Sequence, residues 1–377
     1  MNHSRQVPLS TLLREWGRIG CIGFGGPPTH IALLRDLCVR RRGWMDEGDF
    51  EHAIAACNLL PGPASTQLAI YCAWRLRGRI GALVGGLGFI VPGLVLIIAL
   101  AALFLATAPP RWVLGAGAGA GAAVAAAAVS AGWSLVPASW EQATGRRARW
   151  LLYLLAGAAA AATVGPWLVL VLLACGLVEL ILQRAIRLPR LIAAVPIAAI
   201  GGLPALTWVA FKVGALSYGG GFVIVPLMQN DAVSRHHWMT AGQFLNAVAL
   251  GQVTPGPVVH TVAAVGYAAA GVGGALLAAL VAFSPSFAFV LLGGRRFDAI
   301  RNDARARSFL AGAGPAAIGA ILGSAIPLAR ALHEPWQFGV LGAAAIALLL
   351  LRRGVVVTLL LAGATGAIVA LLGVGLP

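Results

Sequence analysis

Charged residues are what this chain lacks most. Only 10% of its 377 residues are Asp, Glu, Lys or Arg, and only 12 are acidic, whereas 59% are hydrophobic and the mean hydropathy is +0.88. Soluble domains carry about 25% charged residues. The scarcity of charge excludes an ordinary soluble domain and predicts an integral membrane protein whose surroundings are the lipid bilayer.

Signatures of metal, disulfide and catalytic chemistry are also missing. The five cysteines form no CxxC pair and lie in apolar surroundings. The chain has no HExxH sequence and no paired Asp-rich motif, so acid–base or metal machinery is not evident. We therefore expect neither a metal nor a cofactor, and we do not expect an enzyme.

A glycine repeat in the first half, Gly115-x-Gly117-x-Gly119-x-Gly121, resembles a nucleotide-binding loop only superficially. It lacks the preceding strand that such a loop requires. Small residues at this spacing are typical of closely packed membrane helices. The repeat therefore predicts helix packing and not a nucleotide site.

The net charge is strongly positive, at +15, from 27 Lys and Arg against 12 Asp and Glu. In a soluble protein this balance would suggest nucleic acid. Here the arginines cluster between apolar segments, as in membrane proteins whose cytoplasmic loops are basic. No nucleic-acid partner is expected.

Two proline breaks interrupt apolar segments at Pro61-Gly62-Pro63 and Pro255-Gly256-Pro257. Proline removes a backbone donor and fixes φ, so a helix cannot continue through either break. It is accepted in the first turn of a helix, so a new helix can begin directly afterwards. A helix start at membrane depth presents N–H donors with positive partial charge, which predicts an anion site at each break.

The breaks belong to an internal repeat. Trp238-Met239 follows Trp44-Met45 by 194 residues, and the same offset relates Gly25-Gly26 to Gly219-Gly220 and the first proline break to the second. This pattern predicts two homologous halves. We assign the first repeat to residues 1–190, a connecting transmembrane segment to 191–209, and the second repeat to 210–377.

Each half begins with apolar stretches too short to span a bilayer, which takes about 20 residues. In the first half they are residues 10–24, 29–37, 50–60 and 64–74. They predict helix–break–helix hairpins that dip into the membrane. Full crossings are predicted at 80–106, 112–136, 150–164, 167–183, 274–293, 308–330, 336–351 and 355–376.

Loop charges predict that the halves have opposite orientations. The loop before the first crossing is basic in the first half (Arg75, Arg77 and Arg79), whereas its counterpart, residues 269–273, is uncharged. The positive-inside rule then inverts one half and places the N-terminus in the cytoplasm and the C-terminus in the periplasm. The predicted fold is an all-α polytopic membrane protein of two inverted-topology repeats, with interrupted helical hairpins and a site near the midplane.

Several motifs, in order, resemble the chromate ion transporter family in its fused two-domain form. They are Phe24-Gly25-Gly26-Pro27, Gly43-Trp44-Met45, Leu59-Leu60-Pro61-Gly62-Pro63, Ser217-Tyr218-Gly219-Gly220-Gly221 and Gln252-Val253-Thr254-Pro255-Gly256-Pro257. The resemblance covers both halves; one departure is Gly221, which stands where the first half has Pro27. It implies a bacterial inner-membrane protein that exports chromate. Sulfate is a close structural analogue, so it stays open as a substrate.

The candidate anion-binding residues lie at the four helix breaks. In chain order they are Gly25, Gly26, Thr29 and His30; Pro61, Gly62, Ser65 and Thr66; Ser217, Tyr218, Gly219 and Gly220; and Thr254, Gly256 and His260. Hydroxyl and N–H donors suit a tetrahedral oxyanion because they impose no plane on it. The alternative is that the hydroxyls satisfy backbone carbonyls freed at the breaks.

Arg18 and Lys212 complete the candidate set, since the repeat relates them and basic side chains are costly in membrane segments. The alternative for Arg18 is an interfacial position. Glu179 is expected to form an interfacial ion pair with Arg184. Other functions left open are transport of a different inorganic anion, an intramembrane enzyme acting on lipid or peptide, and a structural subunit; assembly as a homo-oligomer also stays open.

Overall fold

The computed structural model describes residues 7–59, 62–106, 108–163, 168–183, 202–217, 224–293 and 303–375, and within them every regular element is helical. The first half contains α1 (Leu9–Ile22), α2 (Pro27–Arg35), α3 (Glu47–Leu59), α4 (Ala64–Phe104), α5 (Arg111–Glu141), α6 (Arg147–Thr163) and α7 (Leu168–Leu182). The second half contains α8 (Gly202–Leu216), α9 (Ile224–Gln229), α10 (Ala241–Val253), α11 (Thr261–Gly293), α12 (Ala304–Arg330), α13 (Pro335–Ala345) and α14 (Val355–Leu371). The all-α prediction is confirmed.

The order of elements repeats. The wide helical turn that ends α2, Asp36–Arg41, has its counterpart 194 residues later in Asn230–Arg235, which ends α9. α3 and α10 are related by the same offset at both ends. Helix α8 continues through position 209, and residues 184–201 lie outside the described part, so the boundaries of the connecting segment stay a prediction.

Helix α4 is two helices joined by a sharp break. Arg77 and Gly78 have non-helical backbone angles, and Gly78 has a φ of 61°. Beyond the break the chain turns back on itself, because a Cβ at Gly85 would lie 2.4 Å from the Cβ of Ala73. The sequence predicted that the hairpin ends at residue 74 and the crossing begins at residue 80, and the break in α4 lies between these two positions.

The second half contains the same device. Ala270 and Gly271 interrupt α11, with φ values of −156° and 60°. Gly274 returns against Gly266, since a Cβ on Gly274 would lie 2.2 Å from the Gly266 carbonyl oxygen. Both repeats thus place a short helix before the break and a long apolar helix after it. The shared break explains why this part of the sequence carries small residues.

The halves exchange packing partners. α5 packs against α13 and α14 of the second half, and its counterpart α12 packs against α6 and α7 of the first half. Small residues permit this contact: a Cβ on Gly119 would lie 2.2 Å from the Ala362 carbonyl oxygen. The glycine repeat therefore serves close helix packing, as the sequence predicted.

Contacts at one end of the bundle show that the halves are inverted. Trp150, in α6, donates to Ser139 near the C-terminal end of α5 at 2.9 Å. Arg146, just before α6, contacts Glu179 at 3.0 Å, and Ser308 in the first turns of α12 donates to Gln183 after α7 at 2.6 Å. The C-terminal end of α5 and the N-terminal end of α12 therefore lie together. Since α5 and α12 are counterparts, the two repeats run in opposite directions.

The outer surface is that of a multi-pass membrane protein. Four helices of the described residues (α4, α5, α11 and α12) are long and apolar enough to cross a membrane, α11 together with the short turn before it. Large apolar side chains are exposed on crossing helices, for example Leu152 at 64% and Leu280 at 72%. Exposed apolar surface on this scale requires a lipid environment. Each predicted full crossing coincides with a helix.

Candidate oxyanion site at the helix breaks

A cavity of about 1100 Å³ brings the helix breaks together. Its lining includes Gly26 and Pro27 at the start of α2, Ala64 at the start of α4, and Val258 in the short helical turn before α11. Three of the four predicted breaks therefore face one space. The fourth break, residues 218–223, lies outside the described residues.

Each proline break lies against a helix end of the other half. The Gly256 N–H donates to the Gly23 carbonyl, at the end of α1, over 2.9 Å. Gly62 approaches the end of α8, because a Cβ there would lie 3.2 Å from the Gly214 carbonyl oxygen. Gly62 and Gly256 have φ values of 112° and 87°, a conformation that favours glycine. The two proline breaks thus form part of the contact between the halves.

His30 and Ser65 tie α1, α2 and α4 together. His30 Nε2 lies 2.9 Å from the Gly23 carbonyl oxygen, which can only accept, so this nitrogen carries the proton. In the neutral ring Nδ1 is then an acceptor, and the Ser65 hydroxyl 3.2 Å away donates to it. Both side chains are buried. Their hydrogen bonds position the first break and leave the Ser65 oxygen lone pairs, not its proton, available.

Several buried polar atoms around the breaks have no hydrogen-bond partner in the structure. Buried polar atoms are normally paired, so such a concentration calls for a ligand or solvent at this place. One of them is a donor of a residue that lines the cavity, the buried Nε2 of Gln252. The set includes Gln252 Nε2, the hydroxyls of Thr66, Ser217 and Ser286, and both ring nitrogens of His260.

Thr254 and His260, two further candidates, differ in their contacts. The Thr254 hydroxyl donates to the Leu250 carbonyl oxygen at 3.0 Å, so the alternative structural role holds for this residue. His260 is fully buried and packs edge-on against Phe283, with ring centroids 5.3 Å apart. His30 makes the matching contact with Phe89, at 5.0 Å. Phe283 follows Phe89 by 194 residues, so the repeat relates the two rings, whereas His30 follows the Gly25-Gly26 break and His260 follows the second proline break.

Of the remaining candidates at the first break, Gly25 lines the cavity next to Gly26, and Thr29 lies beside Gly25 but is not among the lining residues. Thr29 is half-buried, and a Cβ on Gly25 would lie 3.0 Å from its hydroxyl oxygen. Pro61, Tyr218, Gly219 and Gly220 lie outside the described residues, so their place in the site stays a prediction.

The cavity lining does not include Arg18 or Lys212. Arg18 is exposed and lies with Glu15, Asp36 and Arg41 around a small surface pocket. Lys212 forms an ion pair with the buried carboxylate of Asp231. Arg18 thus faces the wide turn that ends α2, and Lys212 faces the wide turn that ends α9. Neither turn is one of the helix breaks.

The structure also places polar residues on the cavity wall or beside it that the sequence did not assign to the site. Glu179 lies on its wall with Arg146 and Arg149, at 3.0 and 3.5 Å, whereas Arg184 lies outside the described residues. Arg146, Arg149 and Tyr153 are spaced to share one face of a helix, which is a signal that the sequence contains. Ser286 follows Pro285 within α11. A hydroxyl next to a proline in an apolar segment is likewise a sequence signal for a polar site.

Comparisons with known proteins agree with this architecture. The family model described as "Chromate transporter" matches residues 10–180 and 204–377, one region in each half. A chromate transport protein of Cupriavidus metallidurans is 31% identical over 372 residues, which cover 94% of this chain and 91% of that protein. One of Pseudomonas aeruginosa is 32% identical over 354 residues, covering 86% and 82%.

A third relative, a probable chromate transport protein of Synechococcus elongatus, is 29% identical over 345 residues, with 86% of each chain covered. No solved structure matches the chain significantly. The matched regions include the breaks at Gly25-Gly26, Gly62 and Gly256, and the relatives are named for transport, not for catalysis. The chain belongs to the chromate transporter family.

Proposed function

We propose that this protein is a secondary transporter that exports chromate from the cytoplasm and holds the dianion at the helix breaks. The observation that carries the proposal is the shared cavity. Three helix starts from both halves line it, and buried polar atoms without partners lie around it. A dianion in this place would receive donors from both repeats at once.

Helix starts supply the positive potential. The first N–H groups of a helix have no partner inside it and carry positive partial charge. In α4, Thr66 and Gln67 donate to the Pro63 carbonyl, which leaves the N–H groups of Ala64 and Ser65 at the helix start. In α2, Pro27 and Pro28 have no N–H and fix the backbone for helix entry, so the Thr29 N–H is the first backbone donor of this helix. Backbone donors of this kind suit a tetrahedral oxyanion.

Side chains add donors without adding a fixed charge. Gln252 lines the cavity and its buried Nε2 has no hydrogen-bond partner, and we propose that this group donates to an anion oxygen. A site made of dipoles and neutral donors holds a dianion less tightly than one made of arginines, since charged donors form stronger hydrogen bonds. Weak holding favours transport, because an ion that binds too tightly cannot leave.

The membrane potential is sufficient to drive export. Moving one charge through 100 mV is worth about 2.3 kcal/mol. A dianion that leaves an inside-negative cell therefore gains about 4.6 kcal/mol, which is more than a thousandfold in concentration ratio. No acidic proton carrier is needed for this mechanism.

We place the protein in the bacterial inner membrane with its N-terminus in the cytoplasm and its C-terminus in the periplasm. The basic loops of the sequence support this orientation, and the predicted crossing at 191–209 would supply the odd number of crossings that inverts the second half. The basic end of the cavity, with Arg146, Arg149 and Arg307, then faces the cytoplasm. Substrate for export would enter there.

Transport in inside-out membrane vesicles tests the proposal. Vesicles that contain the protein should accumulate chromate when the lumen is made positive, and accumulation should stop when an ionophore collapses the potential. Excess sulfate should slow uptake if the site accepts both dianions. Uptake no greater than in vesicles without the protein would contradict the proposal, and uptake of labelled sulfate alone would reassign the substrate.

A further inference from the structure

A second polar cluster lines the same cavity and plays no part in the helix-break site. At its centre is the Glu179 carboxylate, on α7, whose side chain is 1% exposed. Its Oε1 accepts from Arg146 at 3.0 Å and from Gln183 at 2.6 Å. Its Oε2 accepts from Tyr153 at 2.9 Å and lies 3.5 Å from an Arg149 nitrogen. One buried carboxylate is therefore surrounded by four donors.

The charge of the cluster is positive. Arg146, Arg149 and Arg307 line the cavity with only Glu179 opposite them among its described lining residues. The side chains of Arg146 and Arg149 are 28% and 33% exposed, so solvent reaches the guanidinium groups although the carboxylate is buried. An excess of positive charge in a cleft concentrates anions from solution.

The arrangement has the chemistry of an occupied oxyanion site. Guanidinium groups bind carboxylates and tetrahedral oxyanions through the same pairs of parallel N–H donors. Glu179 keeps hydrogen bonds from Tyr153 and Gln183 if the arginines turn away. Two neutral donors would then remain on the carboxylate, so its oxygens keep hydrogen-bond partners while the guanidinium groups bind the oxyanion.

We propose that Arg146 and Arg149 form a capture site for the oxyanion at the basic end of the cavity, and that Glu179 is the resident anion that holds them in place until the oxyanion arrives. This inference rests on the proposed transport of an oxyanion. The captured dianion takes the guanidinium donors from Glu179 and then passes along the cavity to the helix breaks. Gln183 links the site to the second half, since it accepts a hydrogen bond from Ser308.

The central test compares Arg149→Gln with Arg147→Gln in the vesicle assay. Arg147 belongs to the same segment, but it is exposed, stacks on Trp140 at 5.0 Å and is not among the cavity-lining residues. Loss of the Arg149 charge should raise KM for chromate about tenfold and change kcat by less than about twofold, as expected for a charge that steers and captures a ligand. Arg147→Gln should leave both constants unchanged.

Salt dependence separates capture from a structural role. Added neutral salt screens the attraction between the cluster and a dianion, so KM of the wild type should rise with ionic strength. The slope should be shallower in Arg149→Gln and unchanged in Arg147→Gln. A purely structural arginine would change the amount of folded protein and leave this slope alone.

Glu179→Gln tests the resident anion. Without the competing charge the arginines should hold chromate more tightly, so KM should fall severalfold and kcat should fall with it because release is slower. If this variant does not reach the membrane, the pair Arg149→Gln and Arg147→Gln decides the proposal alone. If the wild type transports chromate and Arg149→Gln shows the same KM and the same salt slope as the wild type, the capture site is overturned but the proposed function is not. A wild type that transports no oxyanion would overturn both proposals.

Discussion

Gly62→Ala is expected to lower chromate transport at least tenfold while the protein still reaches the membrane. Gly62 lines the cavity and has a φ of 112°, where a side chain is strained. A Cβ there would lie 2.7 Å from Gln67 Nε2 and 3.2 Å from the Gly214 carbonyl oxygen. The methyl group would thus stand at the start of α4, where the anion is proposed to sit. Initial rates in vesicles, divided by the amount of protein, measure the effect.

Gly373→Ala is the matched control. Gly373 also has a positive φ, 81°, but a Cβ there would meet nothing within 4 Å. This variant carries a similar backbone strain, about 1–2 kcal/mol, at a position far in sequence from the breaks. Its rate should stay close to that of the wild type. Equal losses in both variants would mean that strain, and not obstruction of an anion site, explains the Gly62 result.

Gln252→Met is expected to make the empty protein more stable and transport at least tenfold slower. The substitution keeps an unbranched side chain of similar length and removes a buried donor that has no partner, Nε2. Leaving such a donor unsatisfied costs about 1–3 kcal/mol, so its removal should raise the unfolding temperature. The proposed anion would lose one hydrogen bond from the cavity wall. Thermal unfolding in detergent and vesicle transport are the two measurements.

Gln243→Met, on the same helix, should behave in the opposite way. Gln243 belongs to the capping box at the start of α10, where its side chain accepts from the Thr240 N–H at 2.9 Å. Loss of this cap should lower stability by about 0.5–2 kcal/mol and leave KM for chromate unchanged. If Gln252→Met lowered stability in the same manner and kept normal transport, the glutamine would be a structural residue.

The helix breaks could be predicted from the sequence because their causes are local. Proline at positions 63 and 257 interrupts a helix wherever it stands in an apolar segment, and the repeat tells which breaks correspond. The inversion was also readable, since the charges of short loops depend on which side of the membrane they occupy. The structure agrees with both, because α4 begins at Ala64 and α10 ends at Val253, beside the two proline breaks, and because α5 and α12 run antiparallel.

The partners of individual polar groups could not be predicted in the same way. Glu179 is followed closely by Arg184 in the sequence, yet the described contacts are with Arg146 and Arg149, because antiparallel packing brings the end of α7 to the start of α6. The Gly23 carbonyl meets the Gly256 N–H only because the halves cross. Such contacts depend on tertiary packing, about which hydrophobic periodicity and charge patterns carry no information.

Arg18 shows that the energetic cost of burying a basic side chain in a membrane does not by itself locate that side chain. A basic side chain in an apolar segment suggests a cavity, and the repeat pairs it with Lys212. The structure places Arg18 at the surface and pairs Lys212 with Asp231. A short helix lets a basic side chain reach an interface, so the same sequence pattern is compatible with either position.

Thermal unfolding of the purified protein during a chromate titration tests the central claim most directly, namely that one oxyanion binds where the helix breaks of both halves meet. A ligand that binds only the folded state stabilises it by about 2.7 kcal/mol at a concentration of 100 Kd. We predict that chromate raises the unfolding temperature of the wild type and of Gly373→Ala with the same midpoint, and that Gly62→Ala requires at least tenfold more chromate. An equal midpoint in Gly62→Ala, or no stabilisation of the wild type at concentrations that saturate transport, would contradict the claim.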